Sequence, residues 1–211
     1  MRTVILSTHY DDAVLSGWTL MDGVADVDVV TVFTQPPEPG FLSRWDQGSG
    51  APDSATRVEQ RAAENRAALA LAGARPTDVG VLEGQYGGGP VRPDELEPYI
   101  ADAEVVYVPA AVFIQGTNTE HALVRDAALA VRPDARLYVD QPYCQFRSDV
   151  PLPLQLAKGR SLRAVTLDEP IRTRKAEAIG CYTGELPNLE AFFGPLTDPD
   201  VLRQEAFWIE T

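Results

Sequence analysis

Residues 3–18 read TVILSTHYDDAVLSGW, and the change of period inside this stretch decides the fold. Residues 3–7 are a short, mostly apolar run of β-formers. From Asp11 to Met21 the apolar residues Ala13, Val14, Leu15, Trp18, Leu20 and Met21 take up a helical spacing instead. A strand that hands over directly to a helix is the first half of a βαβ unit. Between the two lie His9, one of only two histidines in the chain, and the adjacent carboxylates Asp11 and Asp12.

Working outward, residues 25–35 (ADVDVVTVFTQ) form a second strand closed by Pro36 and Pro37. Residues 36–53 are rich in Pro, Gly and polar side chains, with Phe41, Leu42 and Trp45 among them. A loop of this length is either functional, here as a cover over substrate, or without structure. Ser54 is expected to cap an Ala-rich helix that ends at Gly73 and Pro76. Further on, the patterns predict a strand at 79–82, a flexible loop at 85–95 and a strand at 103–111. A helix at 119–131, a strand at 135–142 and a helix at 173–182 complete the reading.

Strands alternating with helices of this length imply a mainly parallel sheet with helices on both faces. At 211 residues, one domain spanning 1–211 is expected, since chains of this size bury roughly 70% of their unfolded surface. The net charge of −13 argues against nucleic acid or an anionic membrane as a partner. Two cysteines are too few for a disulfide framework, and no apolar run is long enough to span a bilayer, so a cytoplasmic protein is expected. Nothing in the sequence fixes an oligomeric state.

In a parallel sheet ligands bind at the carboxyl ends of the strands, where residues 8–12, the segment after Thr34 and residues 111–121 should meet. His9 and Asp12 flank a strand-to-helix turn, and His121 opens another helix behind a different strand. Two imidazoles and a carboxylate suit zinc or another divalent first-row metal, with a position left for water. Asp11 would stand beside the ion and take the proton of the bound water, whose pKa a cation lowers to about 7. Two other readings stay open at this point. Asp at a helix N-terminus is ordinary capping and dipole chemistry. A two-His, one-carboxylate set also fits the facial triad of iron oxygenases, although the α/β alternation argues against it.

The same residues resemble a known family. STHYDDAVLSGW is similar to the HPDDxxLSxGG opening of the LmbE-like, or PIG-L, de-N-acetylases, with Tyr10 for Pro and Trp18 and Thr19 for the closing glycines. RAAENRAALALAGA resembles the family's RxxExxxAxxxLG helix, NTEHALVRDAA its HPDHxxxxxAA segment, RKAEAIGCYTGE a late KxxAxxxYxSQ element and QEAFW a terminal EaF stretch. Five motifs in the same order span residues 3–208. The resemblance implies a Rossmann-like three-layer α/β sandwich and a zinc-dependent amidase that removes an acyl group, usually acetyl, from an amino sugar or sugar conjugate. It places the metal ligands at His9, Asp12 and His121 and the general base at Asp11. Arg61 and Glu64 match a helix pair near the site, with a structural or a substrate-binding role; Lys175 and Tyr182 fall in an element read as packing.

One position departs from the pattern. Where the family carries a first histidine in HPDH, this chain has Asn118, and Gly116 stands where some relatives have Tyr. An Asn donates a hydrogen bond to a developing oxyanion but brings no cationic imidazolium, and losing such a donor typically costs about 10²–10³ in rate. Electrophilic help from Gln115, Tyr143 or Arg147 is one explanation. The other is a family member that keeps its metal but serves only in binding. Asp11, which a purely structural metal would not require, favours hydrolysis.

Overall fold

The computed structural model describes residues 1–113, 119–147 and 149–211. The chain begins β1 (Thr3–Ser7), α1 (Asp12–Gly17), β2 (Val27–Gln35), α2 (Ser54–Ala72) and β3 (Arg75–Leu82). It continues α3 (Pro93–Ile100), β4 (Val105–Pro109), α4 (Thr119–Val131) and β5 (Arg136–Tyr138). The last part is α5 (Leu154–Ala157), β6 (Arg160–Thr166), α6 (Glu169–Ile179), α7 (Leu186–Phe193) and β7 (Gln204–Glu210).

The strands form one seven-stranded sheet in the order β3-β2-β1-β4-β5-β7-β6. The first five run parallel, while β7 pairs antiparallel with both β5 and β6. Period-two alternation splits the strand residues between two cores. Ile5, Val27 and Val29 pack with Val14, Leu69 and Ile179 from α1, α2 and α6. Val4, Leu6, Val30 and Val32 pack on the other face with Leu96, Ile100, Val124 and Ala128 from α3 and α4. The result is the expected three-layer α/β sandwich with a mainly parallel sheet. Strand order reverses at β1, flanked by β2 on one side and β4 on the other, which opens a crevice at their carboxyl ends.

Several boundaries differ from the sequence reading. The N-cap of α2 is Asp53, whose carboxylate accepts from Thr56 N at 2.8 Å, whereas Ser54 is buried and its Oγ accepts from Ser43 N. The 36–53 loop is therefore pinned rather than loose. It contains a 3-10 turn at Asp46–Ser49, and Tyr86 Oη donates to Asp46 at 2.8 Å. β3 starts at Arg75, four residues earlier than its apolar pattern, because it is an edge strand where Pro76 and half-exposed polar residues are tolerated. The 85–95 loop folds tightly back, with Gly88 so close to the Leu82 carbonyl that no Cβ would fit, and Pro93 then opens α3. α6 begins at Glu169, capped by Asp168. Among the described residues no helix is long and apolar enough to cross a membrane.

Candidate metal centre

His9 follows β1 by two residues, at the crevice where strand order reverses. A hydrogen-bonded turn aims it: Ser7 Oγ donates to His9 O and accepts from Ala13 N at 3.0 Å, joining the strand end to the first turn of α1. His9 N donates to Asp12 Oδ2 at 2.7 Å, so the Asp12 carboxylate is folded back over the turn. Its Oδ2 lies 3.3 Å from His9 Nδ1 and 3.5 Å from His121 Nε2, which enters from the first turn of α4. The sequence's three proposed ligands therefore meet, each with a ligand atom within 4.8 Å of the others, and all are buried.

The donor set fits a divalent cation. His121 Nδ1 lies 2.7 Å from Asp140 Oδ1, while its Nε2 is buried and has no hydrogen-bond partner among the described residues. A buried imidazole nitrogen without a partner costs free energy unless something fills its lone pair. The local field points the same way. Burial works against a charged His9, but Glu83, Asp12 and Glu120 outweigh it and hold the imidazole pKa well above its usual value. For His121, burial is likewise overcome by Asp12 and Asp140. The pocket attracts positive charge at the point where the ring nitrogens converge. His9, Glu83 and Glu120 form a second trio of suitable spacing that shares His9, with Glu120 Oε2 at 3.1 Å from its Nε2.

Asp11 lines the same cavity beside the ligand turn. Burial, then Asp12 and Glu185, push its carboxyl up to about 7 against the opposing pull of Arg61 and His9. The cavity is about 450 Å³, and Arg61, Glu83, Glu185 and Tyr143 also line it. Arg61 is held between Glu83 at 3.4 Å and Glu185 at 3.4 Å. Glu64, its helix partner in the family motif, faces elsewhere: it accepts from Gly184 N at 2.8 Å, Thr183 Oγ1 at 3.0 Å and Arg57 at 3.1 Å. Lys175 is buried against Glu205 at 2.7 Å, and Tyr182 Oη donates to the Tyr10 carbonyl at 3.1 Å, behind the ligand turn.

Of the candidate electrophiles, Tyr143 lines the cavity, and Arg147 pairs with Asp149 at 2.7 Å near the surface. Gln115, Gly116 and Asn118 lie outside the described residues. Sequence reasoning missed Asp140, Glu83 and Glu185. Glu83 directly follows β3 and Asp140 lies two residues beyond β5, so the rule that located His9 at the end of β1 would have found both. Ala111, just past β4, adopts a left-handed φ of 54°, and its N–H donates to Asp140 Oδ2 at 2.7 Å.

No family model and no curated protein matches the chain. Among solved structures, a triple mutant of a deacetylase of the teicoplanin biosynthetic pathway is 25% identical, with a TM-score of 0.81 over 100% of this chain and 99% of that one. The deacetylase of an antimicrobial pseudoaglycone is 27% identical, with a TM-score of 0.75 over 99% of this chain and 96% of that one. The zinc-inhibited form of a teicoplanin deacetylase, 24% identical, superposes with a TM-score of 0.77 over 100% of this chain and 99% of that one.

Proposed function

We propose, from this chain's membership of the LmbE-like, or PIG-L, deacetylase family, that it is a divalent-metal-dependent hydrolase removing an acyl group, typically acetyl, from the nitrogen of an amino sugar in a small sugar conjugate. The observation that carries the reading is the buried, unpartnered Nε2 of His121, which faces Asp12 and His9 beside the cavity that Asp11 lines. His9, Asp12 and His121 would hold the cation, and their nitrogen and oxygen donors suit zinc first. When bound, such an ion supplies a Lewis acid that makes water a nucleophile near neutral pH and polarises the acyl carbonyl.

The protein's own residues do the rest. Asp11 takes the proton of the attacking water as it adds to the acyl carbon, and returns that proton to the departing amine as the C–N bond breaks. Asp140 holds the His121 ring in the orientation that leaves Nε2 free for the metal. Arg61 balances the carboxylates of Glu83 and Glu185 on the cavity wall. Asn118 is proposed to donate one hydrogen bond to the oxyanion, in the place of the family's histidine. The active unit is read as one domain spanning 1–211, working in the cytoplasm.

The test is elemental analysis of the purified protein followed by a fluorescamine screen for amine release from N-acetylated sugars and their conjugates. Bound zinc with amine release supports the reading. Stoichiometric metal with no release from any of these substrates would favour a binding protein instead.

A further inference from the structure

The two histidines of the metal centre turn unlike edges toward it. His121 points Nε2 at Asp12 Oδ2 and gives Nδ1 to Asp140. His9 points Nδ1 at the same Asp12 oxygen, 3.3 Å away, so its Nε2 faces outward, where Glu120 Oε2 lies at 3.1 Å and Glu83 Oε1 at 3.6 Å. An ionised carboxylate only accepts. In a neutral His9 ring the proton shared with Glu120 therefore sits on Nε2, and the lone pair is left on Nδ1.

Glu120 is held from its other side as well. Its Oε1 accepts from Gly84 N at 2.7 Å, so one carboxylate bridges His9, just past β1, and the turn just past β3. The fit is close: a Cβ on Gly84 would stand 2.9 Å from Glu120 Oε1. The face of the His9 ring is set separately by Phe33 of β2, with ring centroids 5.7 Å apart and planes 25° apart. Glu83 is the poorer partner for His9, because its Oε1 already accepts from Gln85 Nε2 at 2.6 Å and its Oε2 pairs with Arg61 at 3.4 Å. Those bonds also argue against a separate ion among His9, Glu83 and Glu120. A neutral His9 ring that serves the first centre through Nδ1 has no second lone pair to offer one. In sequence, Glu120 stands where the HPDH segment has Asp, and its additional methylene extends its reach.

Resting on the reading of His9, Asp12 and His121 as metal ligands, we propose that Glu120 is a positioning residue for His9. It fixes the ring with Nδ1 toward the ion and, as an adjacent anion, strengthens that nitrogen as a donor. The centre is thus built from two imidazoles of opposite tautomer, His9 protonated on Nε2 and His121 on Nδ1, each held by its own carboxylate.

The experiment is nitrogen-15 spectroscopy of the zinc-loaded, histidine-labelled protein, in which only two rings contribute. One ring should carry its proton on Nε2 and the other on Nδ1, and two rings of the same tautomer would overturn the proposal. Glu120→Gln leaves one acceptor for two donors. It should make the Nε2–H exchange with water about tenfold faster, the scale of a hydrogen bond to a charged group. By chelator competition it should raise the Kd for zinc about 10–100-fold. Gly84→Ala crowds Glu120 Oε1 without removing the charge, and should shift both quantities in the same direction by less. Unchanged exchange and Kd in Glu120→Gln would overturn the proposal while leaving the metal centre intact. A second equivalent of zinc, bound by the wild type and lost in Glu120→Gln, would also overturn it, since the trio would then hold an ion of its own. A wild type that binds no zinc sinks the metal reading instead, and the metal-free protein then decides the positioning. An Nε2–H protected from exchange in the wild type and unprotected in Glu120→Gln upholds it, and equal exchange in the two overturns it.

Discussion

His121 Nδ1 and Asp140 Oδ1 lie 2.7 Å apart, and both residues are fully buried. The second carboxylate oxygen of Asp140 is taken by Ala111 N at 2.7 Å, so the acid is fixed from two sides. With the proton held on Nδ1, the lone pair of Nε2 points at Asp12. Asp140→Asn leaves only one acceptor for two donors and turns its amide N–H toward one of them. Zinc affinity should fall about 10–100-fold, as for other carboxylate partners of metal-binding histidines. Competition against a chromophoric chelator measures this, and an unchanged affinity would remove Asp140 from the metal centre.

Asp11 and Asp12 are sequence neighbours that face different surroundings. Asp12 turns inward against both histidines, whereas Asp11 lines the cavity. Asp11→Asn should therefore retain stoichiometric zinc while amine release drops by about 10²–10⁴, the usual contribution of a general base. His121→Ala should lose the zinc itself. Full turnover in Asp11→Asn would refute the base assignment.

The legible parts of the chain are those where one signal dominates. The turn at residues 3–18 and the helix at 119–131 read at nearly their observed ends, because the compact run of β-formers at 3–7 and the helical spacings that follow it and fill 119–131 meet no competing signal. That placement was enough to bring His9, Asp12 and His121 together. Phe192 and Phe193, which line the cavity, are not legible for a physical reason. α7 reads LPNLEAFF, only eight residues and too short for a helical period to stand out, and neighbouring apolar side chains differ in exposure, Leu189 being buried while Phe192 faces solvent. β6 was equally hidden: it is an edge strand, exposed along most of its length, so it lacks the alternation that marks a half-buried strand. Asp140 was absorbed into a strand expected to run to Pro142, although β5 stops at Tyr138.

Two late motifs, RKAEAIG and QEAFW, are joined by a buried ion pair. Lys175 Nζ lies 2.7 Å from Glu205 Oε1, and the Glu205 carboxylate also accepts from Trp18 N, Thr19 N and Thr19 Oγ1. Glu205→Ala would strand a buried ammonium and three donors at once. The cost should be about 3–5 kcal/mol, read from urea unfolding. Lys175→Met removes the charge but leaves Glu205 its three donors, so it should cost less. The reverse order would mean that the lysine, not the carboxylate, organises this corner.

Asp28, at the head of β2, ties three neighbouring strands together. Its Oδ1 accepts from Arg75 Nε at 2.6 Å, where β3 begins, and its Oδ2 accepts from Arg2 Nε at 2.9 Å, just before β1. Burial pushes the carboxyl pKa up, but the hydrogen bonds from Arg75 and Arg2 and their charges outweigh it, so folding lowers the pKa below the ordinary value. A carboxylate with a depressed folded-state pKa binds protons more readily when unfolded. Its stabilisation is therefore complete above the unfolded pKa of about 4 and disappears as pH falls through the lower folded value. At pH 7 Asp28→Asn should be less stable than the wild type by about 1 kcal/mol, the scale of a partly buried ion pair with two partners. Below about pH 4 the gap should close, because the wild-type carboxyl then becomes as neutral as the amide. Thermal melts of both proteins at pH 7 and at successive steps below pH 4 test this. A gap that persists through the acid range would show that Asp28 acts through shape and hydrogen bonding rather than through its charge.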